Sequence, residues 1–229
     1  MIIDVIIPAF NEEQSIGKVI QQLPAELIRN IIVANNGSTD NTKKHALEAG
    51  AMVVDQKLKG YGNACLMAME FLKELPIPPD VVVFIDGDFS DYPEQLKELI
   101  RPITRESYDL VIGSRVLGNR EKGALLPQQR FGNALACWLI KLFYGHTFTD
   151  LGPFRAIKYQ KLLQLDMQDR NYGWTVEMQI KAAKQGLKCI EVAVDYRKRI
   201  GQSKVSGTFN GSIRAGYKIL WTLFKYALR

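Results

Sequence analysis

Short apolar runs rich in valine and isoleucine alternate, along the first half of the chain, with segments of helical spacing. The apolar runs predict strands at residues 2–8, 30–34, 51–55, 81–86 and 109–114. The intervening segments predict helices over residues 13–23, from Asp40 to Gly50, over 61–75 and from Pro93 onward. Strands rich in valine and isoleucine that alternate with helices are typical of a parallel sheet buried on both faces. We therefore predict an α/β fold in which ligands bind beyond the carboxyl ends of the strands.

The second half of the chain alternates less regularly. It predicts helices over residues 127–144 and 174–185 and a strand within residues 188–199. After Gly207 the acids disappear, and aromatic, apolar and basic residues recur at helical spacing. Such a helix lies well in an anionic membrane interface, although a terminal helix packed on the domain has the same pattern. We predict a catalytic domain over residues 1–206 and a basic amphipathic helix over residues 207–229.

The charge and the cysteines narrow the possible partners and setting. A formal net charge of +6 over 229 residues favours anionic partners, which include nucleotides, nucleic acid and anionic membranes. Three widely spaced cysteines argue against a disulfide framework or a thiolate zinc site and favour a reduced, cytosolic setting. No stretch reaches the roughly 18 apolar residues of a membrane span. We expect a protein that touches a membrane without crossing it.

The stretch FIDGDFSDYP places three carboxylates directly after an apolar strand. Asp86 and Asp88 fall where a ligand crevice is expected, and Gly87 between them leaves room for a ligand to approach the backbone. Mg²⁺ and Mn²⁺ commonly bind one or two carboxylates together with substrate phosphates. The pair therefore predicts a site for Mn²⁺ or Mg²⁺, with an acidic surface turn as the alternative. Whether Ser90 or Asp91 joins the metal ligands stays open.

Other polar motifs flank the predicted strand ends. PAFNEE and NNGSTD belong to the first two strand ends and lie on the same rim as the acidic pair. KGYGNA, residues 59–64, carries two glycines before a helix, which suits either a bound phosphate or close packing. YRKRIGQSK, residues 196–204, carries Arg199 and Lys204, whose geometry and charge suit phosphate oxygens. A solvated charged face is the alternative for this last segment.

These motifs occur in the order and spacing of family 2 glycosyltransferases, which the chain resembles over about residues 2–206. The most specific matches are the DGD motif and the RxGxSK motif of Arg199, Gly201, Ser203 and Lys204. Within the family, the chain most resembles the synthases that attach a sugar to dolichyl or other polyprenyl phosphates. The resemblance implies a GT-A fold with a mostly parallel central sheet and helices on both faces. It also implies an inverting transfer from a nucleoside-diphosphate sugar to a lipid phosphate.

The resemblance also implies roles for individual residues. Those expected to bind the nucleotide are Pro8, Phe10, Asn11, Glu12, Asn35 and Asn36. Those expected to hold the metal and the donor diphosphate are Asp86, Gly87 and Asp88, and those expected to grip phosphate are Arg199, Ser203 and Lys204. Arg115 and Arg130 are expected near the reaction centre. Two departures, Asn35-Asn36 in place of two acids and Ser90 in place of a glutamine, leave the nucleobase and the sugar open.

The chemistry of the acceptor decides whether a general base is needed. An alcohol that attacks a sugar must lose a proton to a base, whereas a lipid phosphate is already anionic. The basic rim and the C-terminal helix favour a lipid phosphate acceptor, with the protein bound peripherally at the cytoplasmic face of the cell membrane. Asp150 is then a candidate for orienting the sugar or the acceptor. For an alcohol acceptor, Asp150 and Glu177 become candidate bases.

Three other functions fit part of the pattern. A soluble family 2 enzyme would use a sugar or small-alcohol acceptor. A nucleotidyltransferase would release pyrophosphate in place of a nucleoside diphosphate. A non-catalytic nucleotide-sugar sensor would bind the donor without turnover. Nucleic acid is not expected as a partner, because the basic residues sit beside acids on a ligand rim and form no continuous face.

Overall fold

The computed structural model describes the backbone of residues 1–201 and 209–227, with side chains for residues 1–201 and 216–227. In this part of the chain seven strands form one sheet in the order β3-β2-β1-β4-β6-β5-β7. They are β1 (Ile3–Ala9), β2 (Asn30–Asn35), β3 (Met52–Asp55), β4 (Val81–Phe84), β5 (Leu110–Ser114), β6 (Arg155–Lys158) and β7 (Cys189–Ala193). Neighbouring strands pair in parallel except where β6 is involved. The predicted, mostly parallel sheet is confirmed.

Helices cover both faces of this sheet. They are α1 (Ile16–Gln22), α2 (Thr42–Glu48), α3 (Tyr61–Lys73), α4 (Leu96–Glu106), α5 (Pro127–Tyr144), α6 (Tyr159–Gln164), α7 (Trp174–Lys184) and α8 (Phe209–Ala227). Successive strand residues alternate between two cores. Ile6 packs with residues of α3, α5 and α7, whereas Val5 and Ile7 pack with residues of α1 and α4. The predicted placement of helices on both faces is therefore confirmed.

Strand β6 is a feature that the sequence pattern does not predict, because it is short and has Arg155 and Lys158 at its ends. Arg155 is nevertheless fully buried, and its guanidinium donates to the carbonyl oxygens of Leu151, Gly152 and Thr175. Burial lowers the pKa of Arg155 to about 10, so the group stays charged at neutral pH. These hydrogen bonds allow a strand with a charged residue to lie antiparallel between β4 and β5.

The register of the sheet brings several polar segments to one edge. Ala9 pairs with Asn35, and Ile6 pairs with Phe84, so β1, β2 and β4 end close together. The motifs predicted to share a rim lie at these strand ends. This edge therefore carries the candidate site.

Helix α8 packs on the rest of the chain with one of its faces. Thr222, Leu223 and Tyr226 are buried, and the Tyr144 hydroxyl of α5 donates to the carbonyl oxygen of Leu223 at 2.6 Å. A C-terminal helix is confirmed, whereas the division into two domains stays a prediction. No helix within the described residues is long and apolar enough to cross a membrane.

Candidate active site

A cavity of about 240 Å³ opens at the carboxyl ends of the first strands. Its walls come from the loop after β1, the turn before α3, the DGD motif after β4, and two residues from later in the chain, Tyr172 and Arg199. The charged groups in it are Glu12, Asp86, Asp88, Lys59 and Arg199. Open α/β sheets bind their ligands at this edge, so the cavity is the candidate active site.

Asp86 lines this cavity with one carboxylate oxygen that lacks a hydrogen-bond partner. Its Oδ1 is buried and accepts no hydrogen bond from the described residues. Burial, followed by the negative charge of Asp88, raises the pKa of Asp86 to about 7, while the Tyr61 hydroxyl and the Arg199 guanidinium counteract the rise. The Tyr61 hydroxyl lies close by without hydrogen-bond geometry. A divalent cation would supply the positive charge that this buried carboxylate lacks, so the residues fit such an ion.

Asp88 is more buried than Asp86, and the protein engages both of its oxygens. Its Oδ1 accepts the backbone N–H of Ser90 at 2.9 Å and also the Ser90 hydroxyl. Phe89 between them adopts a left-handed conformation with φ of 64°, which turns the chain back on itself. The other oxygen, Oδ2, lies 3.2 Å from Nη1 of Arg199. Ser90 therefore orients the Asp88 carboxylate, and Oδ2 already faces a cationic group.

Gly87, between the two acids, packs against the core. A Cβ atom at this position would lie 3.4 Å from side-chain carbons of Ile7 and Ile16, which is an ordinary van der Waals contact. Gly87 also lines the cavity. The expectation that it leaves room for a ligand to approach the backbone stays a prediction.

Arg199 connects the acidic pair to the first rim loop. Its Nη2 lies 3.0 Å from Oε1 of Glu12, while Nη1 contacts Asp88. The backbone holds it there, because the N–H of Ile200 donates to the carbonyl oxygen of Asp88 at 3.0 Å. Its Nε is buried and donates to nothing within the described residues. A guanidinium that bridges two acids, with one donor unused, is placed to receive an anionic group.

Of the predicted residues in the first rim loop, Pro8 and Phe10 line the cavity. The ammonium of Lys59 lies 5.0 Å from the centroid of the Phe10 ring. Asn11 instead ties two loops together, with its Oδ1 accepting the backbone N–H of Thr39 at 2.8 Å. The predicted role of these residues in nucleotide binding stays a prediction.

The two asparagines that replace acids are used by the protein itself. Asn36 lines the cavity, where its amide donates to the carbonyl oxygen of Leu58 at 2.7 Å and accepts the N–H of Gly60 at 2.7 Å. Asn35 does not line the cavity and donates to Asp55 at 2.8 Å. Asn36 therefore fixes the turn before α3. Each amide oxygen retains a second lone pair that can accept from a nucleobase.

Arg115 and Asp150 form a buried, two-pronged ion pair outside the cavity lining. Nε and Nη2 of Arg115 lie 2.8 and 2.7 Å from the two carboxylate oxygens of Asp150. Asp150 is fully buried, and it raises the pKa of Arg115 against the opposing effect of burial. The guanidinium also lies 5.0 Å from the ring centroid of Tyr196. Asp150 thus orients Arg115. The ion pair disfavours the alternative role of Asp150 as a general base.

Asp91 is an almost fully enclosed carboxyl group near the site, with 1% of its surface exposed. Neither of its oxygens has a hydrogen-bond partner within the described residues. Burial, followed by the charge of Asp86, raises the pKa of Asp91 well above its usual value, against the effect of Arg115. Among the described residues no three His, Cys, Asp or Glu side chains are arranged to hold a metal ion. The candidate metal site is the pair of Asp86 and Asp88, and whether Asp91 joins them stays open.

Two predicted residues that the structure describes, Arg130 and Glu177, do not line the cavity. Arg130 is exposed on α5, and Ser203 and Lys204 lie outside the described residues. The carboxylate of Glu177 is buried and accepts the N–H of Asp169 at 2.7 Å and other donors from its surroundings. The structure thus favours an orienting role for Glu177 over the role of a base.

Sequence reasoning missed the contribution of Tyr61 and Tyr172 to the cavity. The glycines of KGYGNA explain how Tyr172 reaches it. A Cβ at Gly60 would lie 2.1 Å from the carbonyl oxygen of Arg170, so only glycine allows the start of α3 to touch the loop before α7. The packing interpretation of this motif is therefore supported. In the sequence, the position of Tyr61 between two glycines was the signal that could have indicated its place in the cavity wall.

Comparison with known proteins agrees with this architecture. The profile of glycosyl transferase family 2 matches residues 4–166. The dolichyl-phosphate hexose transferase of Haloferax volcanii is 29% identical over 228 residues, which cover 98% of this chain and 95% of that protein. The UDP-N-acetylglucosamine–dolichyl-phosphate N-acetylglucosaminyltransferase of Methanococcus voltae is 27% identical over 243 aligned residues, covering 97% of this chain and 94% of that protein.

A solved structure shares the fold. The glucosyl-3-phosphoglycerate synthase of Mycobacterium tuberculosis, in complex with Mn²⁺, UDP and glucosyl-3-phosphoglycerate, superposes with a TM-score of 0.77. The match covers 99% of this chain and 80% of that one at 23% identity. At this identity the likeness concerns the fold alone, and it confirms the predicted GT-A architecture.

Proposed function

The chain belongs to glycosyl transferase family 2, and we propose that it moves a sugar from a nucleoside-diphosphate sugar to a polyprenyl phosphate of the dolichyl type. In this proposal the transfer is metal-dependent and inverting and takes place at the cytoplasmic membrane face. The observation that carries it is the cavity in which Asp86, with an unpartnered buried oxygen, lies beside Asp88 and Arg199. Two carboxylates beside a positively charged guanidinium suit the binding of a diphosphate together with a metal ion.

The donor diphosphate would bind against the acidic pair. Asp86 and Oδ2 of Asp88 would hold Mn²⁺ or Mg²⁺, which when bound neutralises charge that develops on the leaving diphosphate. Arg199 pairs with Glu12 and Asp88. A diphosphate carries more negative charge than one carboxylate, so the guanidinium would exchange the Asp88 contact for phosphate oxygens. Arg199 would thus close over the donor.

The acceptor proposal follows from the proton balance of the reaction. A phosphate oxygen attacks the anomeric carbon, the bond from this carbon to the diphosphate breaks, and the nucleoside diphosphate departs with the electron pair. No proton has to be removed from an anionic acceptor. This agrees with the candidate bases, because Asp150 is bound by Arg115 and Glu177 by the loop before α7. Arg115 and Arg130 would steer the acceptor phosphate.

Two of the relatives support this acceptor by their names, which describe transfer to dolichyl phosphate. The structural relative was solved with glucosyl-3-phosphoglycerate, a phosphate-bearing product without a lipid. A soluble phosphorylated acceptor is therefore the second candidate. Both acceptors carry an anionic phosphate group.

A transfer assay tests the proposal directly. Purified protein is incubated with Mn²⁺ or Mg²⁺, a panel of labelled nucleotide sugars and a polyprenyl phosphate in detergent, with a chelator as the control. We expect label to enter the organic phase only when metal is present. Release of nucleoside diphosphate without a lipid product would move the acceptor to the soluble class. Binding of donor without any turnover would support a sensor and contradict the proposed enzyme.

A further inference from the structure

Helices α5 and α8 expose aromatic and apolar side chains on one continuous surface, which we call the α5–α8 face. It consists of Trp138, Leu142 and Phe143 on α5 and Tyr217, Trp221 and Phe224 on α8, all of them exposed. Trp138 is 57% and Trp221 is 54% exposed. The two stripes meet where the ring centroids of Phe143 and Phe224 lie 5.7 Å apart.

The opposite sides of both helices already pack in the core. Helix α5 buries Leu139 and Ile140, and α8 buries Leu223 and Tyr226. The exposed stripes are therefore additional to the apolar surface that folding requires. A helix that is apolar on a second side needs a second apolar environment, and clustered exposed aromatics mark an interaction site.

The charged residues that α5 and α8 themselves contribute have a single sign. No Asp or Glu occurs between residues 122 and 149 or between residues 196 and 229. Lys141 is exposed on α5, Lys225 is half-buried on α8, and Arg130 is exposed near the start of α5. Tryptophan, tyrosine and lysine together suit the boundary between lipid headgroups and acyl chains.

We propose that the α5–α8 face docks on the interface of an anionic lipid bilayer, with α5 contributing as much as the C-terminal helix. A second copy of this chain fits less well, because a symmetric contact would bring cations of the same sign together. Anionic headgroups instead complement Lys141 and Lys225, and each basic residue near an anionic surface strengthens binding about fivefold.

This docking places the bilayer beside the acceptor side of the site. On α5, Asn133 donates to the carbonyl oxygen of Thr149 at 2.9 Å and accepts the N–H of Leu151 at 2.8 Å. These contacts hold both neighbours of Asp150, the residue that grips Arg115. The helix that lies on the membrane thus directly supports the residue expected to meet the acceptor. This last step rests on the proposed function, whereas the docking surface itself does not.

Vesicle co-sedimentation of the full chain tests the surface. We expect binding to phosphatidylcholine vesicles with about 30% phosphatidylglycerol to exceed binding to phosphatidylcholine alone and to weaken with salt. Changing both Trp138 and Leu142 to serine removes two apolar side chains and should weaken binding about tenfold or more. Lys141→Gln should weaken it about fivefold. The matched controls are Ile77→Ser and Lys97→Gln, exposed residues on other elements, which should bind like the parent protein.

Three outcomes would overturn the proposal. The α5 double variant could bind vesicles as well as Ile77→Ser does. The parent protein could bind neutral and anionic vesicles equally. It could also form a dimer by size-exclusion chromatography that the double variant dissolves, which would assign the face to a second copy. Transfer to a short polyprenyl phosphate in detergent is measured in parallel. Absence of transfer together with normal vesicle binding would contradict the proposed function without contradicting the docking surface.

Discussion

At the scale of single residues, the acidic pair contains an excess of negative charge that a cation would relieve. Asp88 faces Arg199, whereas Asp86 keeps a buried oxygen without a partner and a raised pKa. The two carboxylates therefore differ before any ligand binds. Asp88 is the member of the pair that the protein already orients, and Asp86 is the member that gains most from a cation.

Replacing one of these acids should remove metal-dependent donor binding while the fold survives. We expect Asp88→Asn to weaken the affinity for the nucleotide sugar in the presence of Mn²⁺ by at least about 100-fold. Removing a group that only orients a metal ligand already lowers metal affinity by about 10- to 100-fold, and Asp88 is expected to be a ligand itself. Isothermal titration calorimetry measures the affinity, and thermal unfolding confirms that the variant folds. Asp166→Asn, at an exposed position with φ of 47° that asparagine accepts, is the matched control. Equal affinities for the two variants would contradict the metal assignment.

The raised pKa of Asp86 predicts a pH dependence of metal binding. A protonated carboxyl cannot bind the cation, and with a pKa of about 7 the group is mostly protonated below pH 7 and ionised above it. We therefore expect Mn²⁺ affinity to fall roughly tenfold per pH unit below 7 and to level off about one unit above it. Each binding event in the lower range should release close to one proton.

Calorimetry in two buffers with different ionisation heats measures this proton release. Asp86→Asn should bind Mn²⁺ weakly at every pH and release no proton. Affinity that is independent of pH in the parent protein would show that another group dominates the site.

At the scale of elements, α8 is connected to the donor cavity through the loop before α7. Tyr226 donates to Glu177 at 2.6 Å, and the Lys218 ammonium lies 2.9 Å from Asp169. Glu177 and Asp169 in turn accept backbone N–H groups of the loop that carries Tyr172. One face of the helix therefore holds a wall of the cavity.

This connection predicts that Tyr226→Phe weakens donor binding without touching the cavity. The variant removes the hydroxyl that donates a hydrogen bond to the buried Glu177 carboxylate. Leaving such a group without its hydrogen bond lowers the free energy of unfolding by about 1–3 kcal/mol. We expect a lower unfolding temperature together with a several-fold loss of nucleotide-sugar affinity. Tyr144→Phe is the matched control, because its hydroxyl donates to the carbonyl of Leu223 on α8 and not to the loop. It should lose stability alone, and equal loss of affinity in both variants would contradict the connection.

The sequence predicted the elements whose signal is local and missed those that depend on distant contacts. Valine and isoleucine runs defined β1 and β4, and the acids after β4 could be placed because strand ends share an edge. Strand β6 has no such run, and it depends on its pairing with β4 and β5 and on the hydrogen bond from its buried Arg155 to the carbonyl oxygen of Thr175. Tyr172 reaches the cavity because the neighbouring Arg170 packs against Gly60, a contact between distant parts of the sequence.

At the scale of the whole molecule, α8 has two faces with different tasks. The inner face buries Leu223 and Tyr226 against the catalytic domain, and the outer face exposes Tyr217, Trp221 and Phe224. The membrane-interface prediction and the packed-helix alternative therefore describe opposite sides of one helix. The same helix is expected to serve stability, donor binding and lipid contact, which separate variants can resolve.

Truncation after residue 206 should consequently do more than release the protein from vesicles. Loss of the buried Leu223 and Tyr226 side chains costs about 1.5–3 kcal/mol each, and a domain of this size loses about 2–4 °C per kcal/mol. We expect an unfolding temperature lower by on the order of 10 °C, with weaker donor binding. Trp221→Ser should lower vesicle binding alone, measured by the same scans and by co-sedimentation. A truncated protein that melts like the parent and binds donor normally would mean that the inner face contributes nothing, and α8 would be a membrane anchor only.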